Sequence, residues 1–173
     1  MLTENSRAAW GSNGYRNIRL LVVDDDAEFT QFVSEYLAGL GYLVETAHNG
    51  REGLGLFRSG NFHAVLADMQ MPGMNGVELL QSIKRVDQRA VVVITTGYRM
   101  NDLEASAVDS GAFDLLLKPV TLRRLGAVVE RAVEQRGLAK QVSVFRRLTL
   151  ALVASIPFWI ITSAFLALKY HGK

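Results

Sequence analysis

Acidic, hydroxyl and ammonium side chains follow four short apolar segments of this chain. Asp24, Asp25 and Asp26 follow LLVV, and Asp68 follows AVLA. Thr95 and Thr96 follow VVVI, and Lys118 follows FDLLL. Crowded carboxylates repel one another and favour a divalent cation, and oxygen ligands select a hard ion such as Mg²⁺ rather than zinc. A carboxylate beside such an ion can attack phosphorus, while an ammonium and a hydroxyl bind the other phosphoryl oxygens.

These side chains can converge only if the apolar segments are strands of one sheet. Five short apolar runs alternate with segments of helical period, and their sequences are IRLLVV, LVETA, AVLAD, AVVVITT and FDLLLK. Five βα units in series predict an α/β fold with a doubly wound, five-stranded parallel sheet and right-handed crossovers. In such folds the working site lies past the carboxyl ends of the strands, where the candidate residues stand.

Helical spacing marks the segments between the strands. The first helix is predicted over AEFTQFVSEYLAGLGY, with an apolar face of Phe29, Phe32, Val33, Tyr36, Leu37 and Leu40. Asp26 precedes it and is interpreted as its N-cap. The last helix is predicted over TLRRLGAVVERAVEQRGLAKQ, with a solvated face formed by Arg123, Arg124, Arg131 and Arg136.

Composition excludes several kinds of protein. The chain has 173 residues, of which 49% are hydrophobic and 21% are charged, enough for one domain with a core and an extension. It has no cysteine, which excludes disulfides, thiolate metal sites and a cysteine nucleophile. The net charge of +2 is too small to indicate nucleic-acid binding by itself. His48 and His63 show no metal-ligand spacing, and Met69, Met71 and Met74 are interpreted as packing residues.

Four segments resemble the signature segments of response-regulator receiver domains. They are LLVVDDD, LADMQMPGMNG, VVVITTG and LLLKPV, within a resemblance that runs from about residue 18 to residue 141. Each segment is weak alone, but their order and spacing at successive strand ends are highly specific. The resemblance implies a flavodoxin-like fold of strand order 2-1-3-4-5. It also implies a phosphoryl-accepting switch fed by a sensor histidine kinase or a histidine phosphotransfer protein.

The resemblance assigns a role to each acidic residue of the site. It makes Asp68 the phosphorylated residue, and Asp24 and Asp25 the acidic pair, with Asp25 the direct Mg²⁺ ligand. The backbone carbonyl of Gln70 should supply a further ligand, so that the metal set is Asp24, Asp25, Asp68 and Gln70. The implied cofactor is Mg²⁺.

The resemblance also assigns roles at the ends of the fourth and fifth strands. Thr95 matches the switch hydroxyl and Lys118 the phosphate-contacting lysine. A cis Lys118–Pro119 bond is expected, as in the family. The chain departs from the family at Leu115, Val120 and Thr96, where an aromatic residue, a phenylalanine and a smaller residue are usual.

Two other functions fit parts of this pattern. A Mg²⁺-dependent phosphatase with an aspartyl nucleophile would usually carry a second acid two residues after the nucleophile, where this chain has Gln70. A structural adaptor would keep the fold but never be phosphorylated. The expectation is a switch and not an enzyme.

A long apolar run lies near the carboxyl end of the chain. Residues 148–168 are 21 residues without a charge, and a helix of that length spans roughly 31 Å, close to the roughly 30 Å hydrocarbon core of a bilayer. The receiver fold already has its five helices, so the run is predicted to be a transmembrane helix. Basic residues are more frequent before it (Arg136, Lys140, Arg146, Arg147) than after it (Lys169, Lys173). This excess predicts a single pass with the receiver on the cytoplasmic side.

The predicted organisation therefore has five parts. They are a leader at 1–17, a receiver domain at 18–141, a basic juxtamembrane segment at 142–147, the transmembrane helix at 148–168 and a tail at 169–173. The chain is expected to be a single-domain response regulator of the cell membrane. Its expected partners are the phosphodonor, the membrane and a downstream protein that the sequence does not name, with no nucleic acid among them.

Overall fold

Five short strands alternate with helices along the chain. The computed structural model describes residues 17–97 and 101–137. The strands are β1 (Arg19–Val23), β2 (Leu43–Ala47), β3 (Ala64–Asp68), β4 (Val92–Thr96) and β5 (Asp114–Leu117). The helices are α1 (Ala27–Gly39), α2 (Gly50–Ser59), α3 (Gly76–Val86), α4 (Asn101–Asp109) and α5, which begins at residue 122 and is helical to residue 137.

The strands form one parallel sheet in the order β2-β1-β3-β4-β5. The predicted α/β fold and strand order are confirmed. The central strands β3 and β4 are buried along their whole length, whereas the edge strands β2 and β5 are partly exposed. This agrees with the continuous apolar runs, because a parallel strand covered on both faces has no solvated side.

Each face of the sheet carries its own core. Alternate residues of β1 point to opposite faces, so Leu21 and Val23 belong to one core and Leu20 and Val22 to the other. The first core includes residues of α2 and α3, among them Leu54, Phe57, Leu80 and Ile83. The second includes residues of α1 and α5, among them Val33, Leu37, Leu125 and Val129. The two layers of helices hold the carboxyl edge of the sheet in place.

Side-chain caps start three of the helices close to that edge. The Asp26 carboxylate accepts hydrogen bonds from the backbone N–H groups of Glu28 and Phe29, which confirms its predicted role as the N-cap of α1. Asn49 caps α2, and Asn75 forms a capping box with Glu78 at the start of α3. Such caps satisfy backbone donors that the first helical turn leaves free.

Two predictions about helix faces are wrong. Phe32 was assigned to the apolar face of α1 but is 49% exposed, because the buried stripe runs through Thr30, Val33 and Leu37 and is narrower than the apolar spacing indicated. Arg136 was assigned to the solvated face of α5, but its side chain is only 13% exposed and pairs with Asp87. A charge buried in this way requires a partner, which Asp87 supplies from the end of α3.

The apolar run at 148–168 lies outside the described residues, as do the predicted leader, juxtamembrane segment and tail, apart from residue 17. Among the helices in the described part of the chain, none combines the length and the apolar character that crossing a bilayer requires.

Candidate functional site

The carboxyl edge of the sheet gathers the predicted acidic residues. Asp24 follows the last residue of β1, and its backbone N–H donates to the Ala47 carbonyl at 3.1 Å, so the residue continues the line of the strand. Asp68 is the last residue of β3. Both are buried, with 1% and 6% of their surface exposed. Buried carboxylates need partners, because an unpaired charge in the protein interior is costly.

Lys118 supplies a shared partner for the two buried carboxylates. Its Nζ lies 2.6 Å from Asp24 Oδ2 and 2.7 Å from Asp68 Oδ1. The second oxygen of each carboxylate also accepts a hydrogen bond, from the Asp26 N–H at 3.1 Å in one case and from the Gln70 N–H at 2.7 Å in the other. The structure thus brings together the residues predicted from three different strands.

Asp25 completes an acidic cluster with these two residues. Asp24, Asp25 and Asp68 each offer a carboxylate oxygen, and these oxygens lie within 4.8 Å of one another. Asp25 is exposed, so the cluster opens to solvent on its side. The cluster has three carboxylates and Lys118 pairs with two of them, which leaves negative charge that a divalent cation would compensate. The donor set consists of oxygen atoms alone and suits Mg²⁺.

Burial and neighbouring charges shift the pKa values of Asp24 and Lys118. Burial raises the pKa of the Asp24 carboxyl, and the neighbouring Asp68 charge adds to it, against the opposing effect of the Lys118 hydrogen bond. Burial disfavours the charged form of Lys118, but the hydrogen bonds and charges of Asp24 and Asp68 outweigh it and raise the pKa of the ammonium. Lys118 therefore stays a cation at neutral pH.

The backbone around Asp68 holds its carboxylate in place. The Met69 N–H donates to the Thr95 carbonyl at 2.7 Å, and the Gly76 N–H donates to the Met69 carbonyl at 3.0 Å. A Cβ atom on Gly76 would overlap the Asp68 carbonyl oxygen. The start of α3 therefore packs directly on the strand end that carries Asp68, and only glycine fits there.

Thr95 lies beside Asp68 in the sheet, as predicted. The two residues are partners in the β3–β4 register, and Thr95 is 2% exposed. Its hydroxyl donates to the Ala67 carbonyl at 3.4 Å, a long and weak hydrogen bond. The hydroxyl is thus held only weakly on the backbone of the residue before Asp68. Thr96, the bulkier residue after it, is also buried.

Phe29 is a residue of the site that sequence reasoning assigned only to the core. Its ring centroid lies 4.3 Å from Lys118 Nζ, and the residue also packs against the core between the sheet, α1 and α5. Its position, four residues after Asp25 in the first turn of the helix that follows β1, was the signal that could have placed it at the carboxyl edge.

The remaining predicted residues lie around the site. The Lys118–Pro119 peptide bond is cis, as expected. Leu115 and Val120, which depart from the usual pattern, each pack against one of the two cores. The methionines Met69, Met71 and Met74 pack against the core on the α2 and α3 face, which confirms their assignment as packing residues.

The comparison with protein families agrees with this geometry. The model of the response regulator receiver domain matches residues 20–130, which include every strand except the first residue of β1. The chain belongs to the response regulator receiver family. Receiver domains bind Mg²⁺ at an acidic pocket, and the cluster of three aspartates here is a group able to hold such an ion.

Individual relatives cover the same receiver part of the chain. The regulatory protein AtoC of Escherichia coli (strain K12) is 33% identical over 124 residues, which are 72% of this chain and 27% of AtoC. The DNA-binding transcriptional regulator NtrC of Salmonella typhimurium is 39% identical over 112 residues, which are 65% of this chain and 24% of NtrC. The chain thus spans about a quarter of the length of these two relatives.

A solved receiver domain shows the same fold. The response regulator receiver domain protein (CheY-like) from Methanospirillum hungatei JF-1 superposes with a TM-score of 0.69 at 28% sequence identity. The match covers 70% of this chain and 98% of that structure. The receiver fold of this chain therefore corresponds to nearly the whole of a known receiver structure.

Proposed function

We propose that this chain is a phosphoacceptor switch, in which Asp68 receives a phosphoryl group from a sensor histidine kinase or a histidine phosphotransfer protein. The observation that carries the proposal is the position of Lys118 Nζ, 2.7 Å from Asp68 Oδ1 and 2.6 Å from Asp24 Oδ2. In the proposal, an ammonium at these distances would stabilise the negative charge of a phosphoryl group on Asp68. In the proposal, the nearby carboxylates of Asp24, Asp25 and Asp68 would hold a divalent cation beside the phosphoryl group.

Each residue has a defined part in the proposed transfer. An Asp68 carboxylate oxygen attacks phosphorus, an O–P bond forms, and the bond from phosphorus to the donor nitrogen breaks, so the imidazole leaves and takes up a proton. Asp24, Asp25, Asp68 and the backbone carbonyl of Gln70 would hold Mg²⁺. When bound, the ion neutralises charge on the phosphoryl oxygens.

The other polar groups act after the transfer. In the proposal Lys118 keeps its ammonium at the phosphoryl group and pairs with one of its oxygens. The Thr95 hydroxyl leaves its weak bond to the Ala67 carbonyl and donates to another oxygen. A shift of Thr95 would change the packing of β4, and phosphorylation would thereby bias a pre-existing conformational equilibrium.

The switch is proposed instead of an enzyme. A phosphatase with an aspartyl nucleophile would usually have a second acid where this chain has Gln70, whose backbone N–H already donates to Asp68 Oδ2. Turnover of small phosphoesters by the purified protein would contradict the proposal. So would a protein that is never phosphorylated, as the structural-adaptor alternative predicts.

Incubation with Mg²⁺ and a small acyl phosphate tests the phosphoacceptor role. The wild-type chain should gain the mass of one phosphoryl group in a base-labile form, and Asp68→Asn should gain none. Asp26→Asn is the matched control, because Asp26 lies in the same acidic run but caps α1 and is not one of the three clustered aspartates. If Asp68→Asn is still labelled, or the wild type is not, the proposal fails.

A membrane location is part of the proposal and rests on the sequence alone. Residues 148–168 contain no charge, and as a helix they would have about the length of a bilayer core. The proposed orientation places the receiver on the cytoplasmic side, where basic residues preceding the run and a kinase donor would both be found. Removal of the chain from Leu148 onward should release it from membranes. A full-length chain that stays in the soluble fraction without detergent would contradict this.

The proposed output is a contact with another protein at the membrane. NtrC is named as a DNA-binding regulator, but this chain matches only 24% of its length, within the receiver. The expectation that nucleic acid is not a partner therefore remains a prediction, and gel-shift measurements with the full-length chain test it.

A further inference from the structure

The ring of Phe29 is a feature of the site that neither the acidic cluster nor the proposed phosphoryl chemistry uses. Its centroid lies 4.3 Å from Lys118 Nζ, inside the range of about 6 Å over which a ring face attracts a cation. We propose that Phe29 is a positioning residue, which holds the Lys118 ammonium between Asp24 and Asp68 by a cation–π contact. The inference rests on the proposed function, because Lys118 acts there on the phosphoryl group.

The surroundings of the Lys118 ammonium explain why a contact with the Phe29 ring would help to fix its position. A lysine side chain is flexible, and its ammonium has three N–H donors and no acceptor. Two carboxylate oxygens lie at 2.6 Å and 2.7 Å, and the ring of Phe29 lies beside the same ammonium. Only 23% of the Lys118 side chain is exposed. Limited exposure reduces screening by water, so a cation–π contact is stronger here than on an open surface.

The position of the ring is itself fixed by the start of α1. The Phe29 N–H donates to Asp26 Oδ1 at 3.1 Å, and the Asp26 N–H donates to Asp24 Oδ1 at 3.1 Å. The body of the ring packs against the core on the α1 and α5 face of the sheet. The third aspartate of the acidic run therefore connects the cluster to Phe29 without being a member of it.

Simple core packing is the alternative explanation for Phe29. Leucine would fill much of the same apolar space, but it has no ring face with a negative potential. The two explanations therefore predict different results for Phe29→Leu and Phe29→Tyr. Packing alone tolerates leucine, whereas the cation–π contact is kept by tyrosine and lost with leucine.

Nuclear magnetic resonance of the metal-free, full-length protein tests the contact directly. Ring current should shift the Lys118 Hε protons to lower frequency in the wild type. Phe29→Tyr should keep this shift, and Phe29→Leu should return the signals toward those of an ordinary lysine. Unfolding of each variant by urea shows that the fold is retained. Unchanged Lys118 signals in Phe29→Leu would overturn the inference.

The rate of phosphorylation by a small acyl phosphate in Mg²⁺ provides the functional measurement. Phe29→Leu should lower the rate by between about 2-fold and 30-fold, and Phe29→Tyr should stay near the wild type. Equal rates for these two variants would overturn the inference. A wild-type chain that accepts no phosphoryl group would instead overturn the proposed function, whereas the resonance shift would still report on the contact.

Discussion

The Asp87 carboxylate and the Arg136 guanidinium join the end of α3 to the end of the described part of α5, with Oδ2 and Nη2 2.5 Å apart. The side chains are 28% and 13% exposed. Asp87 Oδ1 also accepts a hydrogen bond from the Arg89 N–H at 2.9 Å. Burial disfavours the charged carboxylate, but the hydrogen bonds and positive charges of Arg136 and Arg89 outweigh it and lower the pKa of Asp87.

Asp87→Asn is expected to reduce the free energy of unfolding at neutral pH by about 1–3 kcal/mol, because it removes a charge-assisted hydrogen bond to Arg136. The folded-state pKa lies below the ordinary value of 3.8. The stabilisation is therefore complete above that value and is lost as pH falls through the lowered pKa. Urea unfolding at neutral pH and at pH values below 3.8 should show the difference between variant and wild type shrinking with acid.

Asp114→Asn is the matched control for that measurement. Asp114 also pairs with an arginine of α5, Arg131, at 2.6 Å, but the Arg131 side chain is 59% exposed. An exposed pair of this kind contributes about 0–1 kcal/mol. Equal losses of stability in the two variants would show that burial of Arg136 does not strengthen its pair.

Asp25→Asn is expected to abolish the stabilisation of the fold by Mg²⁺. If the cluster binds the ion, a free Mg²⁺ concentration a hundredfold above its Kd should raise the free energy of unfolding of the wild type by about 2.7 kcal/mol. Without Mg²⁺, the variant should be at least as stable as the wild type, because one of three mutually repelling carboxylates is gone. Urea unfolding with and without Mg²⁺ measures both effects, and an undiminished response of the variant to Mg²⁺ would contradict the assignment.

Gly76→Ala is expected to destabilise the fold by about 1–3 kcal/mol or more, because the added Cβ would overlap the Asp68 carbonyl oxygen and force the backbone apart. It should also slow phosphorylation, since the displaced strand end carries the proposed nucleophile. Gly55→Ala in α2 is the control, because a Cβ there meets no atom within 4 Å. That change should stabilise the helix by about 0.5–1 kcal/mol. Thermal unfolding measures both variants. A Gly76→Ala variant as stable as Gly55→Ala would contradict the prediction.

Thr95→Val is expected to separate phosphorylation from the response to it. The hydroxyl makes only a 3.4 Å hydrogen bond to the Ala67 carbonyl, so its loss should cost the unmodified protein less than about 1 kcal/mol. Labelling of Asp68 should persist, while the change in amide hydrogen exchange on phosphorylation should be reduced. Thr95→Ser keeps the hydroxyl and should retain the change. A full response in Thr95→Val would rule out Thr95 as the switch.

Topology explains why the acidic part of the site was predictable from sequence. The carboxyl ends of parallel strands share one edge of a sheet, so Asp24 and Asp68 had to approach once β1 and β3 were recognised as neighbours. Cap signals are local, and Asp26 was identified as the N-cap of α1 from its place just before the first helical segment. A cap of this kind depends only on residues a few positions apart along the chain.

The contacts that were missed depend on side chains from distant elements. Helical spacing assigned Phe32 to the apolar face of α1. Whether that side chain is buried depends on which residues of the sheet and α5 pack against the helix. Arg136 was assigned to solvent because it is charged, whereas its burial depends on Asp87, 49 residues away. The ring of Phe29 meets Lys118 only because a long side chain crosses from the end of β5 to the start of α1.

The bridge from Lys118 to Asp24 joins residues that are 94 positions apart. They directly follow β5 and β1, the last and the first strands in chain order. Synthesis of the chain reaches Asp24, Asp25 and Asp68 long before Lys118, so the acidic cluster acquires its ammonium only when the last strand is in place. A nascent or incompletely folded receiver lacks the bridge between its buried carboxylates. Competence to accept a phosphoryl group should therefore mark a finished domain, and a signal would not be taken up by chains still being made.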